Sequence, residues 1–111
     1  MADYIKERDG DAVVPDIENI MLTDGASEGV RHIFNLLLRD QLDGVLVPIP
    51  QYPLYSALLT LNGATLIKYF LDESKNWGVS KEEIQTRIKN AKELGIRCRA
   101  ITVINPGNPT G

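Results

Sequence analysis

Three short stretches carry the side chains that could do chemistry. The first is Asn105-Pro106-Gly107-Asn108-Pro109-Thr110-Gly111, which presents two amides and a hydroxyl on a turn that two prolines and its glycines force. The second is Pro50-Gln51-Tyr52-Pro53, where an aromatic ring stands between prolines on a stretch that cannot be helical. Such a ring either packs locally or offers a flat face to a flat ligand. The third is Gly25-Ala26-Ser27, small residues directly ahead of a helical pattern. A helix start has free N–H groups and a positive dipole end, so this one is either an ordinary cap or a cradle for an anion such as phosphate. No Gly-Lys-Ser/Thr follows, so it is not a Walker loop.

Other chemistry-bearing residues carry less. His32 is the only histidine, lies inside the helical pattern, and receives no role. Cys98 is the only cysteine, which excludes an internal disulfide framework and a cysteine-based metal site. Without nearby activating groups it reads as an inert thiol. Asp9-Gly10-Asp11 resembles the start of a calcium loop, but Val13 occupies the place of a required third ligand, so it reads as a solvated turn. No metal is expected. Trp77 reads as a loop anchor.

The elements that position these stretches follow from periodicity. Asp3–Arg8 reads as the end of a helix. Asn19–Thr23 reads as a short strand leading into Gly25–Ser27. Ala26, Val30, Ile33, Phe34 and Leu37 then share one helical face, widened by Leu36 and Leu38. Val45–Val47 is a short buried strand that runs into the proline-rich stretch, and a helix follows from Leu54 to about Leu61. Ala64–Phe70 is the next strand. Ser80 and Glu83 form a capping box for a helix whose apolar residues are Ile84, Ile88, Ala91 and Leu94, closed by Gly95. Ala100–Ile104 is β-branched and apolar, and reads as the last strand. Strands alternating with helices imply an α/β fold: a mainly parallel sheet with helices on both faces. All three candidate stretches then fall at strand carboxyl ends, along one edge of the sheet, where ligands bind in such folds.

Composition sets the outer bounds. With 111 residues, 43% of them hydrophobic and 24% charged, the chain fits one soluble domain or a piece of a larger one. A net charge of -3 with interspersed signs argues against a nucleic-acid partner. No apolar run approaches the roughly 18 residues of a membrane helix, and the first residues lack the apolar core of a secretory signal. No membrane partner is expected, and an intracellular location is.

Leu22-Thr-Asp-Gly-Ala-Ser-Glu-Gly29, Pro50-Gln-Tyr-Pro-Leu-Tyr-Ser56 and Asn105-Pro-Gly-Asn-Pro-Thr-Gly111, in that order, together resemble the class I/II aminotransferases that use pyridoxal 5'-phosphate. Pro50–Ser56 and the helix Tyr4–Gly10 are most similar to the alanine aminotransferase branch. The resemblance covers nearly the whole chain. It implies part of the large, cofactor-binding domain of a fold-type-I transferase over residues 1–111, with the small domain and the C-terminal half absent. By analogy, Ala26 and Ser27 bind the cofactor phosphate, Tyr52 stacks on its ring, and Asn108 hydrogen-bonds its 3-hydroxyl. A cis Asn108–Pro109 bond is implied as well.

The implied reaction exchanges an amino group between L-alanine and 2-oxoglutarate, giving pyruvate and L-glutamate, in a homodimer. The family's Schiff-base lysine, its pyridine-pairing aspartate and its carboxylate-gripping arginine all lie downstream of the position matching Gly111. Lys75 and Lys81 precede the Asn105–Gly111 turn and do not fill that role. No catalytic residue is therefore assigned within the chain, which reads as an inactive fragment of a longer enzyme. A truncated, non-catalytic partner of full-length subunits, or another enzyme of the family, is the alternative. The cytoplasm is the expected compartment, with the mitochondrion second.

Overall fold

Strand β1 (Asp43–Ile49) is the centre of the molecule. Its Val45, Leu46 and Val47 are 0%, 1% and 0% exposed, so the strand is covered on both faces. Each such side chain contributes about 1.5–3 kcal/mol by leaving water, which makes this short run the main anchor of the core. The computed structural model describes residues 1–10 and 16–111. In it β1 pairs in parallel with β2 (Thr65–Phe70) on one side and β3 (Arg97–Ile101) on the other, giving the order β2-β1-β3.

Side chains alternate across β1, and so do its partners. Val45 and Val47 pack against Phe34 of α2 (Ala26–Leu37), the following Leu38, and Leu58 and Leu59 of α3 (Leu54–Leu61). Leu46 points the other way, into a cluster with Ile67 and Tyr69 of β2 and Ala91 of α4 (Lys81–Glu93). The helices thus cover both faces, as the alternating pattern implies.

The chain steps from β1 through α3 to β2, then returns through α4 on the opposite face to β3 on the far side of β1. The direction of winding reverses between β1 and β3. In parallel sheets the loops leaving the carboxyl ends at such a reversal open a crevice.

Local signals account for most of the boundaries. The Oγ of Ser80 accepts from the backbone N–H of Glu83 at 3.1 Å, starting α4, and Gly95 follows its end at φ 74°. Gly10 closes α1 (Ala2–Asp9) in the left-handed conformation, at φ 64°. Asp11 and Val13, on which the comparison with a calcium loop turned, lie outside the described residues.

Four expectations are corrected. Asn19–Thr23 is not a strand: Ile17–Asn19 form a short 3-10 turn, and the extended residues after it have no ladder partner among the described residues. A strand exists only where a neighbour takes its hydrogen bonds. The last strand is Arg97–Ile101 rather than Ala100–Ile104. Ala26 and Ile33 do not join the buried face of α2 and Leu36 does not widen it: all three are exposed, as are Ile88 of α4 and Leu94 just after it. Only half of the capping box forms, because the Glu83 carboxylate accepts from the backbone N–H of Phe70 and from Arg87 instead.

Candidate functional site

The N-terminus of α2 is built to stay open. Gly25 occupies the capping position at φ 85° and ψ 167°, a conformation that side chains rarely adopt, and no side chain caps the helix. The N–H of Gly25 donates to the carbonyl of Thr23 at 2.8 Å, and the Thr23 hydroxyl donates back to the carbonyl of Gly25 at 2.9 Å. These bonds fold the approach to the helix while leaving its start clear. The first intrahelical bond runs from the N–H of Gly29 to the carbonyl of Gly25, so Ala26, Ser27 and Glu28 have N–H groups with no partner inside the helix. Ala26 and Ser27 are exposed. Glu28, the one acid in the first turn, is paired with Arg31 at 2.6 Å, which offsets its negative charge near the dipole end.

This helix start lies at the carboxyl edge of the sheet. Ala26, Val30 and Phe34 of α2 share a hollow of about 450 Å³ with Tyr55 and with Ala100–Val103 at the end of β3. The loop leaving β1 carries Tyr52, 48% exposed, after a cis Ile49–Pro50 bond. On the same loop the Oε1 of Gln51 is buried without a hydrogen-bond partner among the described residues. The loop leaving β3 carries Asn108, exposed, and closes on itself through the N–H of Gly111 donating to the carbonyl of Gly107 at 2.8 Å. A side chain at Gly107 would meet the Thr110 hydroxyl, which would have to turn aside. The Asn108–Pro109 bond is cis, the isomer that the resemblance implies.

Ala26 and Ser27, at the start of α2, and Tyr52 and Asn108, on the loops leaving β1 and β3, therefore stand at one edge of the sheet, and these two loops flank the reversal between β1 and β3. No group of three or more His, Cys, Asp or Glu among the described residues could hold a metal ion. His32 sits with its Nε2 3.9 Å from Glu28 on the outer side of α2. Cys98 is exposed, and partial burial of its sulfur pushes the thiol up from its ordinary value. That shift disfavours the thiolate a nucleophile requires.

Sequence reasoning missed two supporting residues. Thr23 falls in the stretch whose composition predicts a strand, yet its hydroxyl braces the turn before α2. Tyr69 was read as part of a strand, yet its hydroxyl donates to the carbonyl of Thr102 at 2.7 Å, beneath the Asn105–Gly111 loop. The Thr23 contact is local but depends on the conformation of Gly25, whereas the Tyr69 contact, 33 residues away in sequence, needs the register of neighbouring strands.

The arrangement is that of a parallel α/β domain whose carboxyl edge carries an uncapped helix start, an exposed aromatic ring and an exposed amide. The description of aminotransferase class I and II matches residues 1–111, and the chain belongs to that family. It is 50% identical over its whole length to glutamate–glyoxylate aminotransferase 2 of Arabidopsis thaliana, covering 23% of that protein. It is equally similar, at 50%, to the mitochondrial alanine aminotransferase 1 of the same plant, covering 20% of it. Among solved structures, an alanine aminotransferase from Pyrococcus furiosus superposes with a TM-score of 0.83 at 31% identity, over 98% of this chain and 25% of that one. The chain thus spans about a fifth to a quarter of the length of these relatives.

Proposed function

We infer that residues 1–111 form part of the large, cofactor-binding domain of an aminotransferase that moves an amino group between L-alanine and 2-oxoglutarate. The remaining strands, the small domain and the Schiff-base lysine belong to further polypeptide, and the active form is a homodimer.

The observation that carries this reading is the uncapped start of α2, set on the same sheet edge as Tyr52 and Asn108. The residues fit pyridoxal 5'-phosphate. The free N–H groups at Ala26 and Ser27, with the Ser27 hydroxyl, suit its phosphate dianion. The Tyr52 ring suits its flat heterocycle, and the Asn108 amide suits its ring hydroxyl. When bound, the cofactor supplies a ring that withdraws electrons from the substrate's Cα. The chain's own residues hold and orient that ring and fix its phosphate end.

A second acceptor is favoured by the 50% identity to an enzyme named for glyoxylate. Substrates therefore need to be compared directly. The protein would be isolated from its source with an antibody to Pro50–Ser56 and assayed with L-alanine or L-glutamate against 2-oxoglutarate or glyoxylate. The expected result is turnover of L-alanine with 2-oxoglutarate that falls at least about a hundredfold in Asn108→Ala made in the same polypeptide. Turnover confined to glyoxylate would overturn the choice of acceptor. Absence of transamination with every pair would overturn the function.

A further inference from the structure

The β1–β3 ladder ends for a chemical reason. The N–H of Thr102 donates to the carbonyl of Leu46 at 2.8 Å. In a parallel ladder the carbonyl of that same residue next accepts from the residue two positions further along the neighbouring strand. Here that residue is Pro48, which has no N–H. The carbonyl of Thr102 loses its ladder donor at the point where the chain leaves the sheet for the Asn105–Gly111 loop. Tyr69 stands directly opposite Pro48 in the β1–β2 register. Its ring is 2% exposed, and its hydroxyl reaches past Pro48 to the orphaned carbonyl at 2.7 Å. Tyr69 and Pro48 also line, with Ile101, Asn105, Gly107 and Thr110, a hollow of about 360 Å³ below the loop.

We propose that Tyr69 is a positioning residue for the Asn108 loop: its hydroxyl replaces the hydrogen bond that Pro48 withholds, and so fixes where β3 ends and how the loop departs. Pro48 ends the ladder so that the chain can turn, and Tyr69 keeps the last carbonyl tied. The tie spans all three strands, running from β2 across β1 to the end of β3. The consequence for Asn108 rests on the cofactor-binding reading above, whereas the tie itself does not.

The test is a rescue. Tyr69→Phe removes only the hydroxyl, and Pro48→Ala returns a backbone N–H facing Thr102. Amide exchange of Thr102, followed by NMR on the chain, is expected to quicken about tenfold in Tyr69→Phe, the scale of one neutral hydrogen bond. It is expected to return to within about twofold of the parent in the double variant, because the restored ladder bond does the same work. Amides at the centre of β1 are expected to hold their rates in all variants. An additive double variant, an unchanged Thr102 in Tyr69→Phe, or an equal acceleration throughout the sheet would each overturn the proposal.

A second arm titrates the same variants with pyridoxal 5'-phosphate and follows the amide resonances of Ser27 and Asn108. The response at Asn108 is expected to weaken in Tyr69→Phe and recover in the double variant, while the response at Ser27 stays. If Thr102 is rescued but the cofactor moves neither resonance, the tie stands and the cofactor reading falls.

Discussion

Asp43 gathers charge in the core without belonging to any motif. It is fully buried at the start of β1, at the opposite end of the sheet from the candidate site. Its carboxylate accepts from the Nε of Arg39 at 3.0 Å and from the Nε of Arg97 at 2.6 Å, and Arg97 also reaches Asp40. Hydrogen bonds from Arg39, then from Arg97, hold the Asp43 carboxyl well below its usual value of 3.8, against the opposing effect of desolvation. A carboxyl lowered by folding contributes stability that is fully present above its unfolded value and is lost as pH falls toward the folded one. The thermal midpoint is therefore expected to hold near neutrality and to fall from about pH 5 downward. Asp43→Asn is expected to lower the midpoint at pH 7, since two guanidinium groups lose their carboxylate, and to flatten the acid limb; melts at pH 7 and pH 3 check both. An acid limb as steep in Asp43→Asn as in the parent would mean that other carboxylates carry it. Arg39 lies only four residues before Asp43, but Arg97 reaches it through the β1–β3 pairing, so the sequence pattern alone did not mark Asp43 as a buried ion-pair centre. The candidate site residues were legible for the opposite reason: they sit in contiguous stretches marked by proline or glycine.

At the scale of elements, α4 and β2 share a side chain that the pattern assigned to one of them. Glu83 lies three residues after Ser80, the spacing of a capping box, and the Ser80 half of that box is present. The Glu83 carboxylate, however, takes the N–H of Phe70 at 3.0 Å and the Nε of Arg87 at 2.8 Å, and the Arg87 guanidinium lies 5.0 Å over the Phe70 ring. Phe70 belongs to the edge strand, so Glu83 satisfies one of its outward-facing donors. Ser80→Ala is expected to cost about 1 kcal/mol, measured by urea unfolding. Glu83→Ala is expected to cost about 1–2 kcal/mol, because both Phe70 and Arg87 lose their acceptor. The two are told apart by amide exchange at Phe70, which should quicken in Glu83→Ala and not in Ser80→Ala. Exchange at Phe70 unmoved by Glu83→Ala would show that the edge is held by other bonds. The same lesson covers the strand boundaries. Helices and buried strands were legible because their periodicity is local, whereas β3 stops at Ile101 because of Pro48 on another strand. Asn19–Thr23 has the composition of a strand, yet pairing is a property of two chains, and no partner lies beside it among the described residues.

For the molecule as a whole, apolar burial is complete at the centre of β1 and incomplete on one side of α2. Met21, Leu22, Ile33 and Leu36 are 81%, 75%, 46% and 77% exposed, and all four line one hollow of about 680 Å³ between the unpaired stretch and α2. An apolar group of this kind, gathered rather than scattered, binds hydrophobic probes and lowers solubility. The chain is therefore expected to enhance the fluorescence of an anilinonaphthalene dye at neutral pH. Leu36→Glu, alone or with Met21→Ser, is expected to reduce that signal and raise the concentration at which the chain stays in solution. Because both side chains lie in water, unfolding stability should move by no more than about 0.5 kcal/mol. A dye signal that persists in the double variant would place the exposed apolar surface elsewhere. A large loss of stability would show instead that Leu36 and Met21 are packed, and that this side of α2 is covered by the chain itself.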